Sequence, residues 1–269
     1  MRLAAGPRSV RSRPPWRARS AHGGATRRRA GARTLVGRPL AVRLRFVSAA
    51  ASTAQPLEAV IFDNDGLLLD TEESWTRAQH ALFERHGRRF TAQHKRDMLG
   101  SSPQAAAAGL ELILDAPGEG MALIMELAML VLDELAHHAP PRPGAVELIA
   151  RLQAAGIPMA LASNSPRMLV DRALETAQID PDTFAVILTA DVVTHPKPAP
   201  EIYLTACAAL GTEPSHTLVL EDSPTGIEAA VAAGCHTIAV PSVEGVDLSR
   251  AAAIVESLAS PQITLALGL

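Results

Sequence analysis

The chain is organised around the stretch Ala59-Val60-Ile61-Phe62-Asp63-Asn64-Asp65-Gly66. Its apolar first half predicts a strand over residues 58–62. Two carboxylates, Asp63 and Asp65, follow this strand directly, and Gly66 allows the backbone to turn sharply. Acids and glycine are also common in solvated turns, so the stretch alone leaves both a functional site and an ordinary loop open.

Short apolar segments recur from residue 144 onward and alternate with helical patterns. The predicted strands are 158–162, 184–188, 217–221 and 236–240. Such alternation predicts an α/β fold, a Rossmann-like doubly wound parallel sheet covered by helices on both faces. We expect one or two packing helices after residue 249.

The segment between the first strand and residue 144 has helical periodicity only. The predicted helices are 72–86, 91–98, 103–114 and 119–137. We infer a small all-helical domain inserted after the first strand. Met121, Met125 and Met129 share one face of its last helix, which predicts that they pack in the core.

Charge divides the chain near residue 55. Residues 1–57 carry 13 arginines and no acid, whereas the remainder is strongly acidic. Residues 1–55 show no sustained periodicity, so we expect a basic, disordered N-terminal extension, either an organellar transit peptide or a misassigned start. The acidic body disfavours nucleic-acid binding.

The rest of the composition fits a soluble domain. An apolar fraction of 48% can supply a sizeable core, and no uninterrupted apolar run reaches transmembrane length. Cys207 and Cys235 lack CxxC spacing, which predicts buried, reduced thiols. We expect a cytoplasmic monomer without a membrane partner, or an organellar protein if residues 1–55 are a transit peptide.

Polar residues follow four of the predicted strands. They are Asp63 with Asp65, Ser163 with Asn164 and Ser165, Lys197, and Glu221 with Asp222. Ligands of open parallel sheets bind beyond the carboxyl ends of the strands, so these groups are expected to converge there. Ser165 and Ser223 each precede a proline, and for them a helix start is an alternative.

Lys197 is informative because the chain contains 23 arginines and only two lysines, Lys95 and Lys197. A lysine kept in the proline-rich loop 195–200 indicates that a compact point charge is required there.

These motifs resemble a known family. Asp63-Asn64-Asp65-Gly66, Ser163-Asn164-Ser165, Lys197-Pro198-Ala199-Pro200 and Glu221-Asp222-Ser223-Pro224-Thr225-Gly226 are similar to the four ordered motifs of the haloacid dehalogenase superfamily. The helical insert resembles the cap of its β-phosphoglucomutase-like branch. The resemblance implies an α/β core at 56–72 and 141–269 and a helical cap at 73–140.

The resemblance also implies a role for each site residue. Asp63 would be the nucleophile that forms an aspartyl-phosphate, and Asp65 the general acid and base. Ser163, Asn164 and Lys197 would bind the phosphoryl oxygens. The implied Mg²⁺ ligands are Asp63, Asp65 through its carbonyl, and Asp222, with Glu221 close or water-bridged. Leu68 and Trp75 would line the substrate site under the cap.

Among the reactions of the superfamily, the residues favour a phosphoric monoester hydrolase. Dehalogenases and phosphonate-cleaving relatives resemble the pattern without the second acid, here Asp65. Mutases of this branch have an arginine where this chain has Pro103 and a histidine where it has Trp75. We therefore expect a Mg²⁺-dependent phosphatase acting on a sugar phosphate or a nucleotide-type monophosphate. A phosphomutase is the alternative, and an inactive binding or regulatory protein on the same fold is the remote one.

Overall fold

The computed structural model describes residues 56–269, so the expectations for residues 1–55 lie outside the described part. Six parallel strands form one sheet in the order β3-β2-β1-β4-β5-β6. The strands are β1 (Ala59–Phe62), β2 (Met159–Ala162), β3 (Val186–Leu188), β4 (Thr217–Glu221), β5 (His236–Ala239) and β6 (Ala253–Ile254). The predicted α/β, Rossmann-like doubly wound fold is confirmed.

Nine helices accompany the sheet in residues 56–269, apart from short 3₁₀ turns. They are α1 (Glu72–Arg85), α2 (Ala92–Met98), α3 (Pro103–Leu114), α4 (Gly120–Leu135), α5 (Ala145–Ala155), α6 (Arg167–Ala177), α7 (Glu201–Leu210), α8 (Pro224–Ala233) and α9 (Pro261–Ala266). The end of the chain contains the short strand β6 before α9, where only helices were expected.

Strand β1 lies at the centre of the sheet, between β2 and β4. All four of its residues are fully buried. Val60 and Phe62 belong to one apolar cluster and Ile61 to another, as the two-residue period of a strand covered on both faces requires. Because its neighbours are parallel, the carboxyl ends of β1, β2 and β4 lie side by side.

Helices α1 to α4 form the insert between β1 and α5, and α4 packs against α1, α3 and α6. The two connections to the sheet run side by side, since the Asp70 N–H donates to the Pro140 carbonyl over 2.8 Å and Leu69 pairs with Pro141. The predicted boundaries at 72 and 141 lie near this crossing. The division into a cap and a core stays a prediction.

The expectation that the methionines of α4 pack in the core is wrong. Met121, Met125 and Met129 are 59%, 60% and 53% exposed. The helix instead buries the parallel row that includes Leu123 and Leu127. Both rows are apolar, and only contact with α1 and α3 decides which of them faces inward.

The structure also describes the two cysteines and the apolar character of the helices. Cys207 and Cys235 are buried free thiols, as predicted. Within residues 56–269 no helix has both the length and the apolar character needed to cross a membrane.

Candidate active site

Lys197 lies at the centre of the site and is 2% exposed. Its ammonium group donates to Asp63 Oδ1 over 2.6 Å, to Glu221 Oε1 over 2.8 Å and to the Ala162 carbonyl over 2.8 Å. These acceptors come from the ends of β4 and β2 and from the residue after β1. All three ammonium hydrogens are therefore used, and the lysine joins three strand ends.

Glu221 has both carboxylate oxygens occupied. Oε1 accepts hydrogen bonds from Lys197 and from the Tyr203 hydroxyl, the latter over 2.8 Å. Oε2 accepts from the Asp222 N–H over 2.9 Å and from the Ser223 N–H and hydroxyl, each over 3.0 Å. Burial alone would raise the pKa of Glu221, but Lys197 and these donors together lower it.

Glu221 was predicted to lie close to the metal or to bind it through water, and this stays a prediction. It lies in the acidic cluster, and its carboxylate oxygens already accept five hydrogen bonds from protein groups, Lys197 among them, which favours an indirect contact. Gly226 makes this packing possible, because a Cβ atom there would collide with the Glu221 carboxylate.

Asp63, Glu221 and Asp222 offer carboxylate oxygens that lie within 4.8 Å of one another. Burial raises the pKa of Asp63, which Lys197 opposes, and burial with the neighbouring acids raises that of Asp222. Lys197 is one cation against three buried carboxylates, and the raised pKa values of Asp63 and Asp222 reflect this shortage of positive charge. Carboxylate oxygens are the donors that Mg²⁺ prefers, and the residues present therefore fit that ion.

Asp65 turns its carboxylate away from this cluster. Oδ1 accepts from the Thr71 hydroxyl over 2.9 Å and the Trp75 indole N–H over 3.2 Å. Oδ2 accepts from the hydroxyls of Ser165 and Ser163, over 2.8 Å and 3.3 Å. Its backbone carbonyl accepts no hydrogen bond from a described residue and is the part of Asp65 that remains for a metal.

Asn164 joins two loops. Its side-chain carbonyl accepts from the Lys197 N–H over 2.9 Å, and its amide donates to the carbonyls of Lys197 and Gly100, over 3.0 Å and 3.2 Å. The side chain therefore has no free group for a phosphate, and the predicted phosphate-binding role of Asn164 is left to its backbone N–H. Among the described residues, the backbone N–H groups of Asn64, Asp65 and Asn164 have no acceptor, and they remain for an anion.

A cavity of about 140 Å³ separates the sheet edge from the helical insert. Asp63, Asp65 and Ser163 line it on the sheet side, and Trp75 lines it on the insert side, as predicted. Leu68 does not line it, because this residue is fully buried in the hydrophobic core. The run of three leucines at 67–69 gave no local signal for which side chain would face the cavity.

Four residues support the site through contacts that the sequence did not predict. Ser165 had been considered as a helix start, but its hydroxyl bonds Asp65 instead of capping α6. Thr71 also bonds Asp65, and Ser242 donates to Asp222 Oδ2. Tyr203 is the only tyrosine of the chain, which could have drawn attention to it.

Comparison with known proteins places this arrangement in a family. The model of the haloacid dehalogenase-like hydrolases matches residues 60–240, which include all four motifs. The chain belongs to this family. The family recognised from the motifs is thus confirmed, and several curated relatives carry phosphatase names, which supports the predicted class of phosphoric monoester hydrolase.

Three relatives illustrate the range of this hydrolase family. Validoxylamine A 7'-phosphate phosphatase of Streptomyces hygroscopicus subsp. limoneus is 34% identical over 178 residues, 66% of this chain and 82% of that protein. The chloroplastic protein SUPPRESSOR OF QUENCHING 1 of Arabidopsis thaliana is 32% identical over 190 residues, 68% of this chain but 18% of that protein. The crystal structure of CbbY from Rhodobacter sphaeroides in complex with phosphate has a TM-score of 0.71 and 28% identity, and the match covers 79% of this chain and all of that one.

Proposed function

We propose that this hydrolase is a Mg²⁺-dependent phosphatase that releases phosphate from a small phosphorylated metabolite through an aspartyl-phosphate on Asp63. The observation that carries the proposal is the pairing of Asp63 with buried Lys197 at the wall of a cavity that a second acid, Asp65, also lines. A nucleophile and an acid facing one small cavity are what a two-step phosphoryl transfer requires.

In the first step an oxygen of Asp63 attacks phosphorus, and the bond from phosphorus to the leaving oxygen breaks. Asp65 gives a proton to that oxygen, so an alcohol departs. In the second step Asp65 takes a proton from water, which attacks the aspartyl-phosphate and regenerates the Asp63 carboxylate. The four donors around Asp65 hold its carboxylate at the cavity wall for both proton transfers.

The phosphoryl oxygens would meet free N–H groups of Asn64, Asp65 and Asn164 and the charge of Lys197. The Ser163 hydroxyl would join them by exchanging its 3.3 Å hydrogen bond to Asp65 for one to the phosphoryl group. Asp63, Asp222 and the Asp65 carbonyl would hold Mg²⁺, which when bound supplies charge neutralisation between the carboxylates and the phosphoryl group. Glu221 keeps Lys197 charged and in position.

A phosphomutase would have to hold a second phosphate under the insert. Pro103 lines the cavity there, and the one lysine on that side, Lys95, lies 3.0 Å from the Glu72 carboxylate. Because this ion pair is neutral overall, it offers no net positive charge to a second phosphate, which favours a phosphatase over a phosphomutase.

The test measures phosphate release and enzyme phosphorylation in the presence of Mg²⁺. Asp63→Asn should abolish release from every ester, and Asp65→Asn should lower the rate by about 10²- to 10⁴-fold and leave the enzyme heavier by one phosphoryl group in intact-mass spectra. Asp133→Asn, on an exposed position of α4, is the matched control.

Each alternative has its own outcome. Full activity of Asp63→Asn would refute the nucleophile assignment. Conversion of a hexose 1-phosphate into the 6-phosphate, without net phosphate release, would establish the mutase instead. No turnover of any ester with Mg²⁺ would favour the inactive binding protein.

A further inference from the structure

The insert side of the cavity is apolar except for a few polar side chains. Its apolar lining consists of Trp75, Met98, Leu99, Pro103, Ala106, Ile124, Leu127 and Ala128. Three longer polar side chains interrupt it, namely Glu72 and Gln79 on α1 and Lys95 on α2. None of the three takes part in the reaction steps above, so their presence in this wall requires another explanation.

Lys95 and Glu72 form an ion pair that still has hydrogen-bonding groups not used by any described residue. The ammonium lies 3.0 Å from Glu72 Oε2 and donates to the Thr76 hydroxyl over 2.8 Å. One of its three hydrogens remains, and Glu72 Oε1 accepts no hydrogen bond from any described residue. The pair can therefore donate to and accept from a ligand while its own charges cancel.

Lys95 is also unusual in the composition of the chain. Of 25 basic residues only two are lysines. Lys197 bonds Asp63, which lines the cavity, and Lys95 lies in the opposite wall. An arginine in place of Lys95 would present a planar fork suited to a phosphate, whereas an ammonium is a compact donor.

Gln79 supplies independent evidence. The residue is 7% exposed and lines the cavity, and its side-chain amide makes no hydrogen bond with any residue of the range 56–269. The amide is not among the enclosed polar atoms that lack a partner, so it is open to the cavity and free to bond a hydroxyl group of a ligand.

We propose that Glu72, Gln79 and Lys95 are the specificity-determining residues for the leaving group, binding its uncharged hydroxyls and rejecting a second phosphate. A hydroxyl both donates and accepts, which matches the amide and the neutral pair. A second phosphate would bring a charge of about −1.5 to −2 next to Glu72, whose repulsion cancels the attraction of Lys95. This inference rests on the proposed function.

The size of the cavity limits which leaving groups fit. Its volume of about 140 Å³ is close to the roughly 150 Å³ of cavities that hold a single benzene ring. The apolar wall around Trp75 would cover the carbon skeleton while the three polar residues bind the hydroxyls. We therefore expect a compact leaving group, a polyol or a single-ring sugar, in preference to the larger nucleoside or flavin portion of other monophosphates.

The test compares kcat/KM for a hexitol 6-phosphate, a hexose 1,6-bisphosphate, a mononucleotide and p-nitrophenyl phosphate, which has no hydroxyl groups. Wild type should prefer the hexitol phosphate. In Lys95→Met and in Gln79→Leu the ratio of hexitol phosphate to p-nitrophenyl phosphate should fall by about tenfold or more for each lost hydrogen bond. Glu72→Gln should raise the ratio of bisphosphate to hexitol phosphate by several-fold, because the Lys95 charge is then unbalanced.

Arg96→Met is the matched control, since it removes a cation next to Lys95 on the exposed side of α2. Its substrate ratios should equal those of wild type. Ratios unchanged in both Lys95→Met and Gln79→Leu, or a wild-type preference for the bisphosphate or the mononucleotide, would overturn this inference and leave the phosphatase intact. Failure to hydrolyse any ester, p-nitrophenyl phosphate included, would overturn the proposed function as well.

Discussion

Replacing Lys197 with methionine should cost the protein a large part of its stability. The side chain of Lys197 is 2% exposed, and those of its partners Asp63 and Glu221 are 10% and 0% exposed, so solvent screens these pairs little. Removing one partner of a buried pair costs about 3–5 kcal/mol, because the other charge stays buried and unpaired. Lys197→Met leaves Glu221 as such a charge, whereas Asp63, whose pKa burial raises, can take up a proton. We therefore expect a loss of about 3–5 kcal/mol.

This loss has a defined dependence on pH. The pKa of Glu221 is lowered by folding, so its contribution to stability is present above the unfolded value of about 4.3 and is lost as the pH falls through the folded value. The pKa of Lys197 is raised, chiefly by Asp63 and Glu221 against the effect of burial. Its contribution is present below about 10.4 and is lost as the pH rises through the folded value.

Urea denaturation without metal, at several pH values, measures the difference in free energy of unfolding between wild type and Lys197→Met. The difference should be largest between about pH 5 and 10 and should shrink in acid. Adding Glu221→Gln should recover part of it, because one unpaired charge is then removed. Lys95→Met is the control, since its partly exposed pair contributes only about 0–1 kcal/mol. A loss below about 1 kcal/mol for Lys197→Met would refute the buried three-way contact.

Three other substitutions test the surroundings of the site, and a fourth, Gly109→Ala, serves as a control for the first of them. Gly226→Ala should displace Glu221, lower the free energy of unfolding by about 1–3 kcal/mol and abolish turnover. In Gly109→Ala, where a Cβ meets nothing within 4 Å, the free energy of unfolding should rise by about 0.5–1 kcal/mol. Asp222→Asn should raise the melting temperature in EDTA, because burial raises the pKa of this acid. The variant should show no further rise in melting temperature when Mg²⁺ is added. A Mg²⁺-induced rise that persists would contradict a metal role for Asp222. Asn64→Leu should stabilise by about 1–2 kcal/mol in urea denaturation, because both polar atoms of this buried amide lack partners; a destabilised variant would show that the amide is satisfied in solution.

Local chemistry explains why much of the fold could be predicted. The apolar run at 59–62 and the later strands alternate with helices, and parallel strands bring their carboxyl ends together whatever the loops do. Asp63, Asp65, Lys197 and Asp222 therefore had to lie near one edge. The rarity of lysine identified Lys197 before any contact was known.

The orientation of the side chains in the site could not be predicted from the sequence, because it depends on residues that are distant along the chain. Glu221 holds Lys197 in place, because Tyr203 and Ser223 bond its carboxylate oxygens as well. The Asn164 side chain has no free group, because it bonds Lys197 and Gly100.

The same distinction holds for the helical insert. The sequence by itself determined that residues 73–140 form helices and that Trp75 follows the opening loop. Tertiary packing alone decided that Leu68 is core and that the methionine row of α4 faces outward. An apolar side chain is buried by whatever packs against it, and that partner is not encoded in its own neighbourhood.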